Sequence, residues 1–308
     1  MQVVAIEEHF WTPELMLKGD AYHKEYWYQG LGDLGELRIS QMDEAGIDLQ
    51  VISHAPPAAQ NFAAEDSIAA TRRANDALYE AVRNHPKRFA GFAMLPTPDP
   101  KAAADELERC VVKLGFKGAM IHGLTHGAFC DEKRFWPIFE RAQALDVPIY
   151  IHPAIPHKAV IDAYYKDYPA LIRGAWGFTV ETATQGIRLI MSGVFDAYPK
   201  LKIIMGHLGE SLPFNLWRCD KIINRDVPMA RPFRDYFCEH FWITTSGNFS
   251  HPALLCCVME MGVDRIMFSI DWPYSSNVEG REFVDGAPLS KEDRLKILGG
   301  NAARLLKL

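Results

Sequence analysis

Val3-Val4-Ala5-Ile6-Glu7-Glu8-His9 sets a pattern that the rest of the chain repeats: a short apolar run that ends abruptly in acidic or imidazole side chains. Seven more apolar runs follow. They are Leu49–Ser53 (LQVIS), Phe89–Leu95 (FAGFAML), Lys117–Ile121 (KGAMI), Pro148–Ile151 (PIYI), Leu201–Met205 (LKIIM), Phe241–Thr244 (FWIT) and Arg265–Ile270 (RIMFSI). Near-continuous apolar runs of this length suit strands covered on both faces of a parallel sheet. Helix-like stretches separate them. Ile68–Arg83 is alanine-rich and stops before Asn84-His85-Pro86, and Ala102–Leu114 gathers Leu107, Val111 and Leu114 on one face. Asp131–Leu145 and Pro252–Met261 read the same way, and Ser290–Leu306 starts with an N-cap serine and acid in its first turn. Strands alternating with helices imply βαβ units, and eight of them imply a closed barrel. The expected class is therefore α/β, a single-domain (β/α)8 TIM barrel over residues 1–308, with loop insertions at the C-terminal face of the strands. An open doubly wound sheet is the alternative, weakened because no glycine-rich phosphate loop follows the first run.

Composition narrows the function. A net charge of -6 without any Lys/Arg-rich run argues against a nucleic-acid partner. No apolar stretch approaches the ~20 residues of a membrane helix. The N-terminus lacks the basic-then-apolar order of a secretory signal. The six cysteines show no CxxC spacing and read as free thiols of a reducing cytoplasm.

The chemistry sits where the runs end. Run one delivers Glu7 and His9, run five His152, run six His207 and Glu210, and run eight Asp271. In a barrel these ends meet at one mouth. Glu7 and His9 are two apart on an extended segment and point the same way, whereas Glu8 points the other way and is excluded. Imidazole and carboxylate ligands without thiolate suit catalytic Zn²⁺, Mn²⁺ or Fe²⁺. Taken singly, each residue has a plainer role: a rim histidine, a turn-capping Asp271, an ion-paired Glu7. Together they place several carboxylates and three histidines in one mouth, a costly arrangement without a cation.

His207 and Glu210 flank Leu208-Gly209, which predicts a tight turn into a helix starting near Glu210. Glu210 would then orient the imidazole as an acid/base pair, or serve only as a first-turn acid. Arg218, eight residues on, would share a helix face with Glu210 and suit a substrate carboxylate or a surface ion pair. The other histidines carry less weight: His54 ends the second run, where it could line the mouth, and His122 ends the fourth. His23, His85, His126, His157, His240 and His251 read mostly as solvated. Two aromatic-rich stretches, 11–35 and 155–178, follow strand ends and fit either substrate loops or rim packing.

The motifs Glu7-x-His9, His152-Pro153, Gly206-His207-Leu208-Gly209-Glu210 and Ser269-Ile270-Asp271-Trp272-Pro273 resemble the amidohydrolase superfamily. The matching branch contains aminocarboxymuconate semialdehyde decarboxylase and the hydroxybenzoate decarboxylases. Glu7-Glu8-His9-Phe10 and Thr244-Thr245-Ser246-Gly247-Asn248-Phe249 are most similar to the γ-resorcylate and 2,3-dihydroxybenzoate decarboxylases. The resemblance covers nearly the whole chain and implies a carboxy-lyase that removes CO2 from a small aromatic carboxylate without oxidation. It further implies one divalent ion, Zn²⁺ or Mn²⁺, on Glu7, His9, His152 and Asp271. His207 and Glu210 would stand beside the ion, Arg218 near the substrate carboxylate, and the chain would form a homodimer or homotetramer. Asp271, or His207 through water, would protonate the ring carbon before CO2 leaves. The stretches 122–130 and 157–167 depart from the resorcylate pattern. The rival activity is metal-dependent hydrolysis of a lactone, an amide or a related bond on the same site. A barrel that merely binds a ligand is a further alternative, opposed by the ligand-type residues at four strand ends.

Overall fold

The computed structural model of the chain describes residues 2–15 and 25–308. The parallel strands run in chain order as β1 (Val4–Phe10), β2 (Leu49–His54), β3 (Phe89–Gly91), β4 (Ala93–Met94), β5 (Ala119–His122), β6 (Ile149–His152), β7 (Ile203–Met205), β8 (Phe241–Thr244) and β9 (Ile266–Met267). Each neighbours the next, as β1-β2-β3 and β4 through β9. The third predicted run is one strand that changes partners at Phe92, whose amide donates to the Ile52 carbonyl (2.9 Å) while the Ala93 amide turns to the Gly118 carbonyl (2.9 Å).

The ring closes between β1 and the chain after β9. The His9 amide donates to the Trp272 carbonyl (2.8 Å) and the Glu7 amide to Ser269 Oγ (2.8 Å). Glu8 completes this seam from the outer side. Its Oε1 accepts from Ser269 Oγ (3.1 Å) and the Ile270 amide (3.0 Å), and its Oε2 accepts from the Trp272 amide (3.0 Å). The residue excluded as a ligand thus grips the backbone on both sides of Asp271. Burial and the nearby Asp271 charge outweigh these bonds and push its carboxyl up to about 8.

Side chains alternate across the strands as a period of two requires. Val4, Leu49, Val51, Met120, Tyr150 and Ile204 fill the barrel interior. Ala5, Ile52, Ile121, Ile149, Ile203 and Ile243 face the surrounding helices. β1 carries an irregularity: Ala5 pairs with Gln50, but Glu8 pairs with Ile52, so β1 has one residue more than its partner. The extra residue lets Ile6 stay in the interior cluster while Glu7 also turns inward one layer higher.

The predicted helices are present with shifted ends: Ala64–Asn84, Pro100–Leu114, Trp136–Leu145 and His251–Met261. The C-terminal helix is capped by Ser290, as its sequence predicts, and proceeds through Lys291–Leu295, a wider turn over Lys296–Gly300 and Asn301–Leu306. Among the described residues, no helix is long and apolar enough to cross a membrane. His23 and part of the 11–35 stretch lie outside the described residues.

Candidate active site

The strand ends bring together four of the predicted residues. One ligand atom each from Glu7, His9, His152 and Asp271 lies within 4.8 Å of the others. His152 Nδ1 faces the Pro153 carbonyl at 2.7 Å. A carbonyl only accepts, so Nδ1 carries the proton and Nε2 presents its lone pair inward. His9 Nδ1 meets Ser53 Oγ at 3.3 Å, which likewise leaves Nε2 for the site. His152 Nε2 lies 3.2 Å from Glu7 Oε1 and His9 Nε2 lies 3.1 Å from Asp271 Oδ1. Even so, Glu7 Oε1, His9 Nε2 and His152 Nε2 are buried without a hydrogen-bond partner. Two imidazole lone pairs and a carboxylate oxygen converging in this way fit a divalent cation.

The electrostatics agree. Burial alone would raise the Glu7 carboxyl, but His207, His152 and His9 hold it well below the ordinary range. Asp271 is also held low, since its contacts with His207 and His9 outweigh burial. Burial pushes His9 down toward the neutral, ligating form.

His207 stands beside this set. Its Nε2 is 3.8 Å from Glu7 Oε1 and 3.7 Å from Asp271 Oδ2, while Nδ1 meets Glu210 Oε1 at 2.7 Å. Burial disfavours its charge, yet Glu210, Glu7 and Asp271 raise it well above the usual imidazole range. The Glu210 contact was legible from spacing, but the backbone that makes it was not. His207, Leu208, Gly209, Glu210 and Ser211 all have positive φ, between 51° and 74°. The chain makes a left-handed turn there, and the helix begins at Leu212. Gly206 is needed just before it, because a Cβ would sit 2.7 Å from Glu7 Oε2.

That turn corrects the expectation for Arg218. Counting helical residues from Glu210 puts both on one face, but the helix Leu212–Asp226 starts afresh after the turn. Arg218 is exposed and is not part of the cavity wall. Arg173, from the 155–178 stretch, lines the cavity instead. The remaining histidines divide. His54 and His122 are buried, and the His122 ring packs 5.2 Å from that of His152. His240 is not solvated as expected: it is buried, its Nδ1 meets the Leu201 carbonyl at 2.9 Å, and it stacks on Phe195.

Above the ligands opens a cavity of about 460 Å³. Trp27, Pro56, Pro57, Ile155, Phe178 and Tyr274 give it apolar walls, and His152, Arg173, His207, Asp271 and Ser275 supply its polar groups. Both aromatic-rich stretches therefore contribute to it. Its size and its mostly apolar lining with a few polar groups suit a small organic ligand.

A (β/α)8 barrel with a carboxylate–histidine cation site at its strand ends defines a class, the metal-dependent barrel enzymes. Within that class the chain belongs to the amidohydrolase family, whose model matches residues 6–308. The γ-resorcylate decarboxylase of Polaromonas sp. is 42% identical over 324 residues, covering 99% of this chain and 98% of the relative. The crystal structure of a dihydroxybenzoic acid decarboxylase from Polaromonas sp., with bound manganese and the inhibitor 2-nitroresorcinol, superimposes with a TM-score of 0.95 at 40% identity. That match covers 100% of this chain and 97% of the other. The 5-carboxyvanillate decarboxylase of Sphingomonas paucimobilis superimposes with a TM-score of 0.94 at 32% identity, covering 100% and 99%.

Proposed function

We propose that the protein is a divalent-metal-dependent, non-oxidative decarboxylase of a hydroxybenzoate-type acid. The observation that carries this reading is the set of orphaned atoms, Glu7 Oε1, His9 Nε2 and His152 Nε2, beneath a mostly apolar cavity of about 460 Å³, ample for a small aromatic acid. Full-length relatives that are decarboxylases support it. A cation on Glu7, His9, His152 and Asp271 supplies Lewis-acid charge for the carboxylate and phenol oxygens of the substrate. Mn²⁺ is the favoured ion, because the related structure holds manganese, with Zn²⁺ as the alternative.

The chain's own groups account for the rest. The apolar walls exclude water and hold the ring, and Arg173 adds a cation suited to an anionic substrate. In this reading Asp271, which faces both His9 and His207 and can be recharged by the proton that His207 holds, or His207 itself passes a proton to the ring carbon that bears the carboxylate. Protonation makes that carbon tetrahedral. The bond to the carboxylate then breaks, its electron pair restores the aromatic ring, and CO2 leaves.

Arg218 serves substrate binding only if its outer face meets the site of a second copy. The exposed Phe214 (81%) and Trp217 (69%) on the same helix favour such a homodimer or homotetramer. A fully active monomer would retire that role. The cytoplasm suits the six cysteines, all of which are free thiols.

The test is incubation of the Mn²⁺-loaded protein with a panel of mono- and dihydroxybenzoates, following CO2 and the ring product. Release of stoichiometric phenol and CO2 is expected. Silence across the panel with turnover of a lactone would overturn the reading in favour of hydrolysis.

A further inference from the structure

The stretch Thr244-Thr245-Ser246 has no part in the chemistry above, although it lies within a motif singled out from sequence. Thr244 ends β8 and Ser246 stands in the turn just after it, and both hydroxyls reach Glu7 in the barrel interior. Tyr150 does the same one layer below His152 on β6. All three hydroxyls converge on one oxygen. Tyr150 OH and Ser246 Oγ donate to Glu7 Oε2, and Thr244 Oγ1 donates to the same atom at 3.1 Å. The three also touch one another, Tyr150 OH to Thr244 Oγ1 at 2.9 Å and Thr244 Oγ1 to Ser246 Oγ at 2.9 Å. Every member is fully buried, so no water substitutes for a lost donor. Gly206 forms the remaining wall, since a Cβ there would press on both carboxylate oxygens, at 2.7 and 2.9 Å.

We propose that Tyr150, Thr244 and Ser246 form a hydroxyl cradle that fixes Glu7 as a one-oxygen metal ligand and thereby sets the affinity of the site for its cation. Oε2 is saturated by donors, and Oε1 alone faces His152 and His207 without a partner. Donors on the non-ligating oxygen orient a carboxylate and hold it ionised before the ion arrives. Ser246 extends the cradle to the acid/base pair, because its Oγ also accepts the His207 amide at 3.0 Å. These are positioning residues; none of them lines the substrate cavity.

The inference rests on the cation reading of the site, and the experiment separates the two. Mn²⁺ affinity is measured by chelator competition on wild type, Tyr150→Phe, Thr244→Val, Thr244→Ser and Ser246→Ala, with circular dichroism to check folding. Wild type should bind one Mn²⁺; failure to bind overturns the cation reading itself. Tyr150→Phe and Thr244→Val should weaken binding by roughly tenfold to a hundredfold. Thr244→Ser, which keeps the hydroxyl, should stay within about twofold of wild type, an outcome that a loss of packing alone would not produce. Ser246→Ala keeps the test open should Tyr150→Phe fail to fold. Wild-type affinity in the folded hydroxyl-deletion variants would overturn the cradle and leave the metal site standing.

Discussion

At the scale of single residues, the proposed site divides into groups that would hold the ion and groups that would move a proton. In this proposal His207 belongs to the second group: its Nδ1 is committed to Glu210, and it is not among the four residues whose ligand atoms converge. His207→Ala should therefore keep bound metal at the wild-type level while kcat falls by about 10²- to 10⁴-fold. His152→Ala should lose metal and activity together, as seen by elemental analysis beside the rate. Loss of metal in His207→Ala would move that residue into the ligand set. Residues of this kind were legible in the sequence because acids and histidines end four separate apolar runs at once, although each taken singly has a plainer use. Tyr150 was not. A tyrosine inside PIYI looks like core, and only its position two before His152, on the same side of the strand, hints at a polar task. The face of Arg218 was not legible for a different reason. Helical spacing from Glu210 does not carry across a left-handed turn, and such a turn depends on close approach to Glu7 and Ser246 from distant strands.

At the scale of elements, all eight runs became strands, because burial on both faces leaves a plain apolar signature. Their ends moved by a few residues. The bulge in β1 was invisible, since an extra inward residue changes register without changing composition. The 155–178 stretch was legible only as an aromatic-rich loop, yet it supplies Ile155, Arg173 and Phe178 to the cavity. It is tied down by Glu181 on the helix Gly177–Met191, whose Oε2 accepts the His157 amide at 3.0 Å. Burial outweighs that bond and raises the Glu181 carboxyl from 4.5 to about 7. Below pH 4.5 the group is protonated in the folded and unfolded chains alike, and its contribution to stability is complete. As pH rises through about 7 the folded chain gives up a proton that it binds more tightly than the unfolded chain, and that stability is lost. Denaturant titrations at several pH values should show Glu181→Gln removing a decline on the order of 1–3 kcal/mol from the wild-type curve. Parallel curves for the two proteins would show that Glu181 does not titrate in this window.

At the scale of the whole molecule, the barrel is a ring that backbone ladders close everywhere except between β1 and the chain after β9. There the Glu8 carboxyl, Ser269 Oγ and one amide–carbonyl bond bridge the gap. Glu7 and His9 stand on one bank of that gap and Asp271 on the other. Chelation should abolish turnover, with recovery on adding Mn²⁺. For an ion supplied at a hundredfold its Kd, chelation should also remove about 2.7 kcal/mol of stability, a fall of roughly 5 °C in Tm. An unchanged Tm would mean that the ion contributes nothing to the fold. The mechanical consequence of the gap is local. A hoop with one weld opens at the weld, and this one can part without unwinding any helix. An ion that grips both banks acts as a clasp. Amide hydrogen exchange at His9, Ile270 and Trp272 should then slow on loading far more than exchange at β5 and β6 across the barrel, so that the cofactor's arrival is written in the breathing of a single joint.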